Sequence, residues 1–203
     1  MSSVPLILAS ASASRRQMLI NAGLDFAIEP SGVDEDEVTR SLLAERASAR
    51  DIATTLAEMK ALRVSARHPG AMVVGADSTL ACDGKLYDKP ATLDAARAQL
   101  MALGGRTHEL VSSVVVAKAG ARLWHATEVG RLTMRPLTAS FLDAYLARAG
   151  DAVCASVGAY QLEGLGAHLF SRIEGDYFTV LGLPLLPLLA FLAERGIGLE
   201  RTA

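Results

Sequence analysis

The chain has 203 residues, of which 51% are hydrophobic and 21% charged, so disorder is excluded for most of its length. Lys and Arg number 20 against 22 Asp and Glu, a net of −2, and 5% of residues are aromatic. That leaves no global basic field for a long nucleic acid and no stacking platform for single strands. The length fits one domain, or two closely packed lobes.

In chain order, Pro5 to Ala9 reads as a buried strand, followed by the small-residue loop Ser10 to Ser14. A helix is predicted from Arg15 to Ala22, with Gly23 suited to its C-terminal cap. Asp25 to Pro30 reads as a second strand ending in the acidic loop Asp34-Glu35-Asp36-Glu37. Asp51 to Arg67 reads as a long helix with Ile52, Leu56 and Met59 inward, ended by His68-Pro69-Gly70. Met72 to Gly75 is a buried strand running into Asp77, and Asp83-Gly84 marks a hairpin turn.

Thr92 caps a helix ending at Gly104-Gly105. Leu110 to Lys118 and Arg122 to Met134 flank a turn at Ala119-Gly120 and read as a long hairpin. Thr138 caps a helix to Ala149 with Phe141, Leu142, Tyr145 and Leu146 inward. Gly158 to Gly182 is glycine-punctuated and strand-like, and Leu185 to Glu194 is a last helix. The pattern is α/β with parallel crossovers and antiparallel hairpins, hence a mixed central sheet flanked by helices. The apolar run Val180 to Ala193 contains Pro184 and Pro187 and falls short of the ~20 residues that span a bilayer. A soluble, cytoplasmic protein is expected, with Cys82 and Cys154 as buried free thiols.

Chemistry concentrates in a few segments. Arg15 and Arg16 open a helix, where two cations oppose the macrodipole at roughly 0.3–1 kcal/mol each. An anion reverses that sign, so the serine hydroxyls of Ser10 to Ser14, the helix N–H groups and a guanidinium fork can form a polyphosphate cradle; the other reading is a serine N-cap with solvated arginines. Asp77 can hold Mg²⁺, polarise a water, or simply form a turn. The acidic loop is a solvated face unless one carboxylate joins Asp77 around a metal. Lys60 and Lys89 each read alone as surface lysines. Glu163 sits in the glycine-rich segment Gly158 to Gly166, either as an exposed side chain or as an acceptor for a base edge.

Together, LILASASASRR, VVGADSTLACDGKLYDKP, GGRTHELVSSV and GAYQLEGLGAHLFSRIEGDYFTVLGLPL resemble the motifs of the Maf family of nucleoside triphosphate pyrophosphatases, once called septum-formation inhibitors. The resemblance implies a two-lobed single domain around a nucleotide cleft and hydrolysis of NTP to NMP and pyrophosphate with Mg²⁺ or Mn²⁺. Ser10, Ser12 and Arg15 would bind the triphosphate. Glu35 and Asp77 would hold the metal, Asp77 would activate water, and Lys60 and Lys89 would lie near the phosphates. A homodimer is implied, with no stable nucleic acid and no membrane as partner.

The uracil- and thymine-preferring branch has an arginine where Ser14 stands and a glutamine where Glu163 stands. A carboxylate only accepts, and guanine offers adjacent N1–H and N2–H donors, so Glu163 suits guanine. The chain is similar at Glu163 to the branch that hydrolyses 7-methyl-GTP, which is therefore the expected substrate. The alternatives are a dTTP/UTP/CTP pyrophosphatase and a non-catalytic nucleotide- or DNA-binding regulator of cell division.

Overall fold

A computed structural model describes residues 4–199. Its centre is a seven-stranded mixed sheet. The strands are β1 (Leu6–Leu8), β2 (Ala27–Ile28), β3 (Met72–Cys82), β4 (Lys85–Tyr87), β5 (Thr107–Lys118), β6 (Ala121–Met134) and β7 (Phe170–Glu174). Their order is β2-β1-β3-β5-β6-β7, with β4 paired to β3. The β1 pairings to β2 and β3 are parallel, and the pairings from β3 through β7 are antiparallel. This is the mixed sheet the sequence pattern predicts.

The helices are α1 (Ala13–Asn21), α2 (Glu35–Ala44), α3 (Ala49–Arg67), α4 (Leu93–Leu103), α5 (Ala139–Ala149), α6 (Tyr177–Val180) and α7 (Leu185–Ala193). Serine, threonine and aspartate caps start most of them: Ser12, Asp34, Ser48, Thr92, Thr138 and Asp176 each accept a backbone N–H at the helix entrance. Ser48 and Asp51 complete a reciprocal capping box on α3. Pro187 is tolerated in the first turn of α7, where its missing N–H has no intrahelical partner to lose. Among the described residues, no helix is long and apolar enough to cross a membrane.

β3 organises the molecule. β5 lies along one edge from Val73 to Ala81. The other edge is shared: β1 pairs Met72–Val74 and β4 pairs Leu80–Cys82. Among the described residues, the edge between them is left without a strand. Core side chains gather at both ends of that gap. Leu6, Leu8, Leu19, Val74, Val116, Leu183 and Leu188 pack around the β1 end. Leu80, Tyr87, Leu100, Leu132, Met134, Leu142 and Tyr160 pack around the β4 end.

Several expectations need correction. The strand through Met72 does not stop at Gly75 but continues past Asp77 to Cys82, because β5 supplies partners along its whole length. Asp77 is therefore a mid-strand residue and not a turn former. The acidic loop is a helix: Asp34 caps it and Glu35, Asp36 and Glu37 fill its first turn, where carboxylates complement the macrodipole. The second strand shrinks to Ala27–Ile28. Helix α1 starts at Ala13, ahead of Arg15, since Ser12 is its cap.

Gly158 to Gly182 is not strand-like throughout. Short 3₁₀ turns at Val157–Ala159 and Leu165–Leu169 precede the single strand β7. On α3, Met59 is exposed, and on α5 Phe141 sits at the edge of exposure. Cys82 is buried, whereas Cys154 is only partly so; both are free.

Candidate functional site

Alternation along β3 puts Gly75 and Asp77 on one face and Ala76 and Ser78 on the other. Helix α3 covers the first face at very close range. A Cβ at Gly75 would lie 2.2 Å from the Ala57 carbonyl oxygen and 2.6 Å from the Ala61 nitrogen, so only glycine admits the helix there. The buried stripe of α3 is Ile52, Ala53, Leu56, Ala57, Lys60, Ala61, Val64 and Ser65. Lys60 belongs to that stripe and is 4% exposed, so it is no surface lysine.

The Lys60 ammonium reaches two carboxylates at once. Its Nζ is 2.7 Å from Asp77 Oδ1 and 2.7 Å from Glu35 Oε1. Asp77 is 6% exposed, while the Glu35 side chain is about half exposed at the start of α2. Asp34 is occupied elsewhere, accepting the Glu37 N–H as the helix cap, so Glu35 is the acidic residue that faces the cluster. Burial holds the Asp77 carboxyl above its ordinary pKa; the charges of Lys60 and Arg15 and the Lys60 hydrogen bond pull against that shift. Next to Asp77, a polar row crosses the sheet beneath α3. Ser113 is its register partner, and Thr127 bonds both Ser113 Oγ at 2.9 Å and Thr54 Oγ1 at 3.0 Å.

The serine-rich loop Ser10 to Ser14 lies at the open edge of β3. Ala9 N–H donates to Val74 O at 2.8 Å, and there the β1 pairing ends. The next carbonyl on that edge, Ala76 O, accepts from Arg15 Nη1 at 3.0 Å. Ser10 is buried, Ser12 caps α1, and Ser10 Oγ accepts the Ser12 N–H at 3.3 Å. Ser14, at the position of the other branch's arginine, turns away and donates to Leu181 O at 3.3 Å. Burial lowers the Arg15 pKa, and the charges of Asp77 and Glu35 oppose that shift. Ser10, Ser12, Arg15, Glu35, Lys60 and Asp77 thus form one cluster.

Lys89 and Glu163 stand apart from it. Lys89 is exposed just beyond β4, the strand that bounds the open edge, and Glu163 is exposed between the two 3₁₀ turns. Among the described residues neither is hydrogen-bonded to the cluster. The Glu163 loop is nonetheless built. Gly164 and Gly166 N–H groups both donate to Gln161 O, and a Cβ at Gly166 would fall 2.4 Å from that oxygen. The loop is anchored by Tyr160, whose hydroxyl meets His108 Nε2 at 2.8 Å.

Sequence reasoning missed Ser78 and Gly182, which bond Arg15 from the second face of the sheet, and Ser112 and Thr179, which continue the chain of hydrogen bonds behind Ser78. The C-terminal motif was visible as a string, but its contact with residue 15 is a matter of tertiary placement. Gly75 was the one readable signal, a lone glycine inside a strand pattern.

The chain matches the family described as Maf-like protein over residues 5–195 and belongs to that family. A protein of Paramagnetospirillum magneticum named nucleoside triphosphate pyrophosphatase is 55% identical over 94% of this chain and 98% of its own. A protein of Granulibacter bethesdensis with the same name is 54% identical over 93% and 96%. A protein of Brucella abortus named 7-methyl-GTP pyrophosphatase is 47% identical over 92% and 94%.

Proposed function

We propose that this Maf-family chain is a nucleoside triphosphate pyrophosphatase that uses a divalent metal and prefers 7-methyl-GTP. The observation that carries the reading is the buried Lys60 ammonium held between Asp77 and Glu35 beside the serine-rich loop. Splitting a polyphosphate needs charge neutralisation and an oriented water more than covalent chemistry. Cations and carboxylates converging at the end of a strand pairing supply both.

Among the described residues no third His, Cys, Asp or Glu joins Glu35 and Asp77. Two hard oxygen donors fit Mg²⁺ or Mn²⁺, which commonly take their remaining ligands from water and substrate phosphates. Glu35 and Asp77 would hold that ion, and it supplies charge neutralisation of the triphosphate. Asp77 Oδ1 is bonded to Lys60, while Oδ2 has no donor among the described residues. Oδ2 accepts a proton as the water oxygen bonds to phosphorus, and the α–β anhydride bond breaks to release pyrophosphate. Burial, by raising the basicity of the Asp77 carboxylate, favours that transfer.

The serine-rich loop, with the Arg15 charge behind it, receives the phosphates together with Lys60 and Lys89. Glu163 accepts from guanine N1–H and N2–H, and its negative charge suits a 7-methylated, positively charged ring. Exposure of Glu163 on a braced loop and the name of the Brucella abortus relative support this base. A cytoplasmic homodimer completes the reading.

The test is pyrophosphate release from a panel of canonical and modified NTPs with Mg²⁺. Release from 7-methyl-GTP above all others is expected, falling roughly 10²–10⁴-fold in Asp77→Ala. Release mainly from UTP or dTTP keeps the enzyme and discards the role of Glu163. No release by folded protein favours a binding protein instead.

A further inference from the structure

We propose that Arg15 is a positioning residue that aims the Ser10 hydroxyl at a substrate phosphate, its own guanidinium staying bonded to the protein. The proposal rests on the reading of this loop as a phosphate site. An arginine side chain has five N–H donors. Nε–H donates to Gly182 O at 2.8 Å, and Nη2 donates to Ser78 Oγ at 3.0 Å. Nη1 donates to Ala76 O at 3.0 Å and to Ser10 Oγ at 3.3 Å. Four donors are committed, and the two parallel N–H groups of a bidentate phosphate fork are no longer both available.

The acceptors are themselves fixed. Ala76 O belongs to the edge of β3 that β1 leaves open. Gly182 has φ 101° in the turn between α6 and α7, where a Cβ would stand 3.3 Å from Ser78 Oγ. Ser78 Oγ is 2.9 Å from Ser112 Oγ, which donates to Thr179 O at 2.8 Å. Arg15 therefore joins α1, β3 and the C-terminal turn at one point. Swinging it onto a phosphate would strip four acceptors at a site that excludes much of the water needed to replace them.

Ser10 gains from that arrangement. Its Oγ accepts from Arg15 Nη1 and from Ser12 N–H, each at 3.3 Å. A serine hydroxyl has two acceptor positions and one hydrogen. With both acceptor positions filled, the hydrogen is what Ser10 has left to offer, and a phosphate oxygen only accepts.

The experiment is a double-mutant cycle read by calorimetric binding of inorganic tripolyphosphate, which needs no turnover. Arg15→Lys, and the milder Ser78→Ala that keeps the arginine, are each combined with Ser10→Ala. In the wild-type background Arg15→Lys is expected to weaken binding about tenfold, and Ser78→Ala in the same direction by less. In the Ser10→Ala background both are expected to have effects within about twofold of none. A full tenfold loss for Arg15→Lys in the Ser10→Ala background makes Arg15 a direct ligand and overturns the proposal. A wild-type protein that binds no tripolyphosphate overturns the phosphate reading and this role with it.

Discussion

His108 shows how a single residue ties the fold to pH. It is 1% exposed, and burial lowers its pKa from 6.5 to about 4. Nε2 meets the Tyr160 hydroxyl, while Nδ1 has no partner among the described residues. The tautomer with its proton on Nε2 leaves only a lone pair orphaned, which is the cheaper arrangement. The unfolded chain takes up a proton below pH 6.5 that the folded chain refuses until about pH 4. Stability contributed by this group is full above 6.5, declines as pH falls, and levels off near 4, a difference of roughly 3 kcal/mol. His108→Gln removes the titration, so its denaturation free energy is expected to vary with pH less steeply across that window. Chemical denaturation at pH 4, 5, 6 and 7 checks this; parallel wild-type and variant curves would contradict it. Since Tyr160 anchors the Glu163 loop, the same pair links protonation to the segment proposed to recognise the base.

At the scale of elements, the close approach of α3 to β3 decides where the site forms. Gly75→Ala would ordinarily stabilise a strand by trimming backbone entropy in the unfolded chain. Here the added methyl meets the backbone of Ala57 and Ala61 on α3, so the helix must retreat. A loss of about 1–3 kcal/mol is expected. Lys60 sits on the same turns, so its contact with Asp77 moves too, and kcat/KM should fall roughly 10²-fold. Unchanged melting and activity would show that α3 can shift freely. The elements themselves were largely legible: hairpin turns at Asp83-Gly84 and Ala119-Gly120 take positive φ, and threonine caps fall where the polar-to-apolar switch puts them. What escaped was set by tertiary context. The acidic run around Glu35 looked solvated because nothing local says that a buried lysine faces it. Lys60 looked exposed because its neighbour Met59 seemed the better core residue. The segment Gly158 to Gly182 misled because glycines and apolar residues fit tight 3₁₀ turns as well as strands.

At the scale of the whole molecule, two apolar clusters meet across the unpaired edge of β3, one carrying the Ser10 loop and the other the strand before Lys89 and the loop of Glu163. A nucleotide that touches both sides ties them together, and any ligand of the native state alone stabilises it by mass action. The carboxylates of Asp77 and Glu35 already share the Lys60 ammonium, so a divalent cation on its own must compete with that pair for two donors. Phosphate oxygens change the balance by giving the ion further ligands and Lys60 a new anion. The α,β-methylene analogue of 7-methyl-GTP together with Mg²⁺, at about 100 times its Kd, is therefore expected to add roughly 2.7 kcal/mol. That corresponds to a rise in Tm of about 5–10 °C for a domain of this size. Mg²⁺ alone should give only a small part of that rise. Differential scanning calorimetry with each ligand separately and together decides it. Most of the rise appearing with Mg²⁺ alone would mean a metal site complete without substrate, and Glu35 would then be its essential second ligand. A rise with the analogue but no further change on adding Mg²⁺ would mean that Lys60, Lys89 and the serine loop neutralise the triphosphate by themselves.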